Sequence, residues 1–389
     1  MHRSGTTAAC LRLAVALCLG PAMLAVAMDA VAMDTVTLRR EGEQIEVTGR
    51  VTVTAQDGGL LLMGRDGVLW AIPPEQLVEH VHDETPFEPF SADEVSRRML
   101  ARLPEGFDVH ATSHYLIFYD TSRAYAQWCG SLFERLYMAF TNYWRRKGFD
   151  LTEPEFPLAA VVFADREAYL KFSQPELGEA GSAIIGYFSL RTNRMTMYDL
   201  TGIEAFGGVR RRGTLSQINA ILSQPAASQQ VSTIVHEATH QIAFNCGLHT
   251  RYSDCPLWFS EGIAVFFETP DLRSATGWRG IGVVNRSRQM RFRGYLRNRP
   301  PDSLARLIRD DTRFRDPQQS LDAYGEAWSL TYFLIRFRAK QYVEYLKMLS
   351  EKKPLLQDSP EERLAQFREV FGDLDKLDAE FLRQMSRVR

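Results

Sequence analysis

The residues best equipped for chemistry lie between Ser228 and Glu268. The run Ile234-Val235-His236-Glu237-Ala238-Thr239-His240-Gln241 sets two histidines one helical turn apart, and Trp258-Phe259-Ser260-Glu261-Gly262 follows further on. On a helix such a pair shares one face, about 5–6 Å apart at Cβ, close enough to bind a single metal ion. Glu237 projects from the same end of the site, where it is free to take a proton from a water rather than ligate. A structural zinc site is closed by four protein ligands, whereas a hydrolytic one has three and an open position. Glu261 is the candidate third ligand. The pattern reads as Zn2+ held by His236, His240 and Glu261, with Glu237 as general base. The chemistry is hydrolysis: Glu237 accepts a proton from the attacking water.

Two helices must bring these groups together. The first opens at Ser228 as its cap and buries Val231, Ile234, Val235, Ala238, Ile242 and Ala243. Gly247 suits the left-handed position that ends it. Asp254 followed by Pro256 reads as the cap and first turn of the second helix, which places Glu261 in its second turn. Cys246 and Cys255 bracket the intervening loop. A disulfide there would pin the two helices together, and two small buried residues are the alternative. Cys129, beside Trp128, Leu132 and Phe133, reads as core. Ala323-Tyr324-Gly325-Glu326-Ala327-Trp328-Ser329-Leu330 opens a nearly all-apolar helix that must be buried. Tyr324 at its start either points into the cleft, where it would stabilise a tetrahedral oxyanion, or is a core tyrosine.

The pattern His236-Glu237-x-x-His240 with Glu261 in the next helix resembles the gluzincins, the zinc peptidases that include thermolysin and the aminopeptidases. The fuller string, through Pro256-Leu257-Trp258-Phe259-Ser260-Glu261-Gly262-Ile263-Ala264, is similar to secreted bacterial proteins known only as a domain of unknown function. The likeness is sharp over Gln230–Glu268, looser from about Phe107 onward, and does not cover the first hundred residues. It implies an α+β fold: a thermolysin/gluzincin-like metallopeptidase domain with a mixed sheet and a helical C-terminal part. It also implies zinc, a peptide or protein substrate, and Tyr324 as the residue preceding an Ala-Trp-Ser helix. Thermolysin-like enzymes carry an aspartate one turn after the third ligand to orient the first histidine. Here that position is Val265, so another group must take the role, for which Glu268 and Asp254 are candidates.

In chain order, Arg3 and Arg12, the apolar run Leu11–Leu24 and the small-x-small sites Ala25-Val26-Ala27 and Ala30-Val31-Ala32 mark residues 1–32 as a signal peptide. Gly20-Pro21 interrupts the run, which is short for a membrane span, and an uncleaved anchor is the alternative. The expected product is exported to the periplasm or medium without stable membrane insertion. Residues 33–85 alternate as short strands with Asp57-Gly58-Gly59 and Asp66-Gly67 turns and read as a small all-β module. His80 and His82 read as part of a solvated linker, with a second metal site as the alternative. Residues 86–106 form a linker to the zinc metallopeptidase-like domain, 107–389.

Within that domain Tyr115–Tyr119 and Leu158–Phe163 read as strands, the second central because it is continuously apolar, and Arg123–Arg146 as an amphipathic helix. His110 and His114 fall in a strand pattern about 13 Å apart, too far to chelate. Gly186-Tyr187-Phe188 and Met195-Thr196-Met197 pair as a hairpin, with Arg194–Leu200 as the edge strand that aligns an extended substrate. Arg210-Arg211-Arg212 reads as a solvated loop. Asp271–Pro301, with Arg273, Arg279, Arg286, Arg288, Arg291, Arg293, Arg297 and Arg299, either borders the cleft or is a basic surface. A net charge of −2 excludes bulk electrostatic binding of nucleic acid. Two other functions fit the same residues: a catalytically silent zinc-binding scaffold of the cell envelope, and an amidase acting on an envelope substrate. Intact Glu237 argues against the scaffold, which has no use for a base.

Overall fold

The computed structural model describes residues 32–178, 181, 184–202, 214–269, 272, 278 and 280–389. All but the last residue of the segment expected to be a signal peptide, 1–32, lies outside these residues, as do Arg210-Arg211-Arg212, Arg273 and Arg279.

The alternating N-terminal stretch folds as a five-stranded antiparallel sheet in the order β4-β3-β2-β1-β5, from β1 (Ala32–Arg40), β2 (Glu43–Thr54), β3 (Leu60–Gly64), β4 (Leu69–Ile72) and β5 (Leu77–Pro86). Alternation buries Val36 and Leu38 of β1 against Leu60, Leu62 and Ile72. The fifth strand corrects the linker reading of His80 and His82. Both sit on β5, where His80 Nε2 lies 2.8 Å and His82 Nδ1 3.0 Å from Asp34 Oδ1 on the paired strand β1. Its polar, exposed sequence disguised it, because one edge of β5 faces solvent and so asks for little apolar surface.

The stretch after the sheet carries α1 (Ala92–Leu100), capped by Ser91. A second, mixed sheet follows, in the order β6-β7-β8-β10-β9. It comprises β6 (Asp108–Ala111), β7 (Tyr115–Tyr119), β8 (Leu158–Phe163), β9 (Gly186–Ser189) and β10 (Arg194–Tyr198). The helix α2 (Arg123–Arg146) crosses from β7 to its parallel neighbour β8, and α3 (Arg166–Leu177) follows β8. Leu158–Phe163 is the central strand, buried throughout. The hairpin has the expected register, Phe188 opposite Met195 and Gly186 opposite Met197. Its roles are reversed, however. β10 is paired on both sides, with β8 and β9, and β9 is the edge. A hairpin does not reveal which of its arms meets the rest of the sheet. His110 and His114 are not on one strand either: His110 belongs to β6, and His114 lies in the turn before β7, its Nδ1 2.7 Å from Glu134.

After α4 (Leu215–Leu222) and a 3-10 turn at Pro225–Ala227 comes α5 (Ser228–Asn245), then α6 (Leu257–Phe267). The remainder is helical: α7 (Arg286–Tyr295), α8 (Ser303–Arg309), α9 (Thr312–Arg315), α10 (Ser320–Phe337), α11 (Ala339–Ser350), α12 (Pro360–Phe371) and α13 (Leu374–Met385). The protein is thus α+β, with one antiparallel sheet, one mixed sheet and a helical C-terminal half. Among the described residues no helix is long and apolar enough to cross a membrane.

Polar side chains register α5 on the second sheet. Buried Gln241 donates from Nε2 to the carbonyls of Ala159 (2.9 Å) and Asn193 (3.1 Å). Asn245 and Asn193 exchange amide hydrogen bonds at 2.7 Å. Gly247 takes φ +77°, the left-handed position expected of it. Ser228 is the first residue of α5 and does not cap it. The loop decides one open alternative and corrects one expectation. Cys246 and Cys255 are free: Cys246 is buried beside Tyr137, whereas the Cys255 sulfur faces His249 Nδ1 at 3.7 Å. Asp254 does not cap α6. The Leu257 N–H donates instead to Asp311 Oδ1 at 3.0 Å, and Arg363 ties Asp311 to Asp254.

The helix α6 lies close against α10 because Gly262 has no side chain. A Cβ there would stand 2.2 Å from Thr331 Oγ1 and 3.3 Å from the Ala327 carbonyl oxygen. Gly262→Ala should therefore destabilise the protein by roughly 1–3 kcal/mol in denaturant unfolding, the usual cost of overpacking. Adding Thr331→Ala, which removes the clashing oxygen, should recover most of that loss.

Candidate metal centre

Both histidines of α5 and the carboxylate of α6 converge at one point. His236 Nε2 lies 3.0 Å from Glu261 Oε2, His240 Nε2 lies 3.1 Å from His236 Nε2, and His240 Nε2 is 3.5 Å from Glu261 Oε2. One ligand atom from each of the three lies within 4.8 Å of the others, and among the described residues no other group of three or more His, Cys, Asp or Glu does this. Two neutral imidazoles and one carboxylate are the donor set that suits zinc with a position left open. The electrostatics show how tightly these groups are coupled. Burial opposes charge on His236, but contacts with Glu261 and Glu268 outweigh it and push the imidazole up to about 10. Burial also acts to raise Glu261, yet the facing histidines hold it well below the usual carboxylate range. A low-dielectric cluster of this kind is characteristic of functional sites.

Glu237 occupies the floor of the same cleft. Burial raises its pKa above the ordinary carboxylate value, with the two histidines acting in the opposite direction. Its Oε2 accepts a hydrogen bond from the Phe188 N–H at 2.9 Å, which fixes the carboxylate and places the edge strand β9 against the site. The cleft encloses about 280 Å³ and is lined by Phe188, Leu190, Phe244, Tyr252 and Leu257 as well as the polar groups. Tyr324, in the second turn of α10, also lines it, with its ring centroid 6.5 Å from that of His236. Burial and the Glu261 and Glu237 carboxylates keep its hydroxyl protonated far above the normal tyrosine range.

Of the two carboxylates expected to orient the first histidine, the fold supplies Glu268. Its Oε2 stands 3.2 Å from His236 Nδ1, whereas Asp254 is consumed by Arg363 and Lys352. Glu268 at Nδ1 sets the tautomer that leaves Nε2 free to ligate. Glu268 is itself held: Arg288 Nε donates to Oε1 at 2.9 Å, Arg288 Nη2 to Oε2 at 3.2 Å, and Asn285 Nδ2 to Oε1 at 2.8 Å. The guanidinium of Arg288 also lies 5.2 Å over the Tyr324 ring. Arg288, Asn285 and the Phe188 N–H went unrecognised in the sequence. Arg288 was one of eight arginines with nothing to single it out, and a backbone donor leaves no trace in residue type. Three of its companions are structural. Arg291 pairs with Asp322, Arg299 with Glu326 and Asp378, and Arg293 donates to the Val388 carbonyl.

Fold and site together define an α+β protein with a two-histidine, one-glutamate centre of metal-binding geometry between α5 and α6. A family model described as a protein of unknown function, DUF1570, matches residues 230–356. That interval holds His236, Glu237, His240, Glu261, Glu268, Asn285, Arg288 and Tyr324, but not Phe188 or Leu190. No curated protein matches the chain.

If Glu268 orients His236 as a ligand, Glu268→Ala should weaken zinc binding about 10–100-fold, the usual loss when such a partner is removed. Competition against a chromophoric chelator measures it directly.

Proposed function

We propose that this protein is an exported zinc-dependent peptidase of gluzincin type. The observation that carries the reading is the convergence of His236, His240 and Glu261 with a separate, non-ligating carboxylate, Glu237, on the floor of a cleft bordered by a strand edge. Zinc held by the three ligands would supply Lewis acidity, polarising a carbonyl and making a water acidic enough to deprotonate near neutral pH.

The chain's own residues account for the rest. Glu237, fixed by the Phe188 N–H, accepts the proton of the attacking water and returns it to the leaving nitrogen. Tyr324 remains protonated and lines the cleft, from which it would donate to the developing oxyanion. On the edge strand, the Phe188 N–H faces the cleft rather than β10, so β9 is suited to align an extended peptide chain by main-chain hydrogen bonds. The apolar lining from Phe188, Leu190, Phe244 and Leu257 favours a substrate with a bulky apolar side chain beside the scissile bond. Export follows from the N-terminal sequence, and a signal cleaved after Ala27 leaves the whole of β1 in the mature protein.

Glu237→Gln should retain zinc while hydrolysis of a peptide library falls by about 10²–10⁴-fold, the contribution of a positioned general base. Removing a buried carboxylate whose pKa is raised should leave thermal stability unchanged or higher. Zinc in wild type and variant with cleavage in neither would contradict the peptidase reading and favour a silent scaffold or an envelope amidase.

A further inference from the structure

Behind the cleft, at the seam between the two sheets, lies a second cavity of about 240 Å³. Leu61, Met63 and Leu69 wall it on the side of the first sheet, and Phe244, His249 and Arg251 on the side of α5 and the loop after it. Two of these groups lack what burial demands. Arg251 is only 7 % exposed, yet among the described residues no carboxylate lies within ion-pair distance of it. Its guanidinium donates to the carbonyls of Gly67 (2.8 Å) and Leu190 (3.1 Å) and meets the Met63 sulfur at 3.0 Å. These acceptors are neutral, the carboxylates of Glu155 and Asp66 act on the cation only from beyond ion-pair distance, and burial draws Arg251 down to about 10. His249 is 3 % exposed, and its Nε2 is buried with no hydrogen-bond partner. Burial and the charge of nearby His240 pull that imidazole down to about 3, so the ring is neutral. One carboxylate does reach the rim: Glu155, whose two oxygens are engaged by Arg50 at 2.6 and 2.5 Å.

We propose that this seam cavity binds a small organic carboxylate, its oxygens on Arg251 and on His249 Nε2 and its apolar body against Leu61, Met63 and Phe244. An anion there supplies a close counter-charge and, in the tautomer whose Nδ1 accepts from the Cys255 thiol, accepts the Nε2 N–H of the imidazole. The size fits: an apolar cavity of about 150 Å³ holds benzene, so this one has room for a ring with a carboxylate. A free acid and the C-terminal carboxylate of a peptide share this chemistry. Phe244 walls both this cavity and the cleft, so occupancy bears on the shape of the cleft without contact at the metal ligands.

Isothermal titration of the full zinc-loaded protein tests the assignment, with benzoate, acetyl-phenylalanine, acetate and inorganic phosphate as separate probes. Saturable 1:1 binding of benzoate or acetyl-phenylalanine is expected, with acetate weaker and phosphate absent. The stronger of the first two identifies a free acid or a chain terminus as the source. His249→Phe keeps the packing and removes Nε2, and should weaken binding roughly tenfold or more, as should Arg251→Met. Where Arg251→Met fails to fold, His249→Phe and Thr52→Trp, which plugs the cavity from an exposed strand position, carry the test. Binding that survives Thr52→Trp is binding elsewhere, such as at the zinc, and overturns the proposal. So does equal binding by His249→Phe, a preference for phosphate, or no saturable heat with any carboxylate.

Discussion

Glu261 cannot reach the two histidines from its own helix, and much of the surrounding structure serves to bring it there. Its helix must lie close to α5 and stay in register, and each degree of freedom is removed by a specific contact. Depth is set by Gly262, which lets α6 sink against Thr331 and the Ala327 carbonyl of α10. The start of α6 is held by Asp311, itself fixed by Arg363, which also binds Asp254. The partner helix is registered on the sheet by Gln241 and Asn245. Hydrogen-bonded polar groups do this in a core where apolar contacts alone permit sliding.

Convergence brings His236, Glu237, Glu261 and Glu268 into one poorly solvated volume, an arrangement that stability alone would not favour. Two of the acids are drawn down by the histidines and Arg288, while Glu237 is driven up by burial. Carboxylates with such divergent environments suit the different parts proposed for them, ligand and orienting group on one side and proton acceptor on the other. Arg288 joins the outer parts of the centre, binding Glu268 and covering the ring of Tyr324. The N-terminal sheet belongs to the same construction. The Leu69 N–H donates to the Arg191 carbonyl at 2.8 Å and Arg251 reaches both Gly67 and Leu190, so the sheet grips the turn of the hairpin whose edge faces the cleft.

Much of this was legible in the sequence. The spans Tyr115–Tyr119, Arg123–Arg146 and Leu158–Phe163 and the pairing of Phe188 with Met195 follow from periodicity and apolar runs, which are local properties. The motif put His236 and His240 on one face because helical spacing is itself a geometric statement, and Glu261 followed from the second helix expected after the loop. What escaped was decided by distant partners. Asp254 has the look of a cap, yet Arg363 claims it. Cys246 and Cys255 bracket a loop, and spacing left open what the fold decides: one lies beside Tyr137 and the other against His249. β5 hides because an exposed edge strand needs no hydrophobic pattern. Glu268 was legible as a candidate only because Val265 left a vacancy in the resemblance; Arg288 and Asn285 behind it were not.

The most direct test of the account is zinc K-edge X-ray absorption on the purified protein. The account predicts one zinc per chain with two histidine nitrogens and oxygen donors only, one of them exchangeable for an added small ligand, and loss of one nitrogen in His240→Ala. A zinc closed by four protein ligands, a sulfur in its shell, or a protein that takes up no zinc would contradict it.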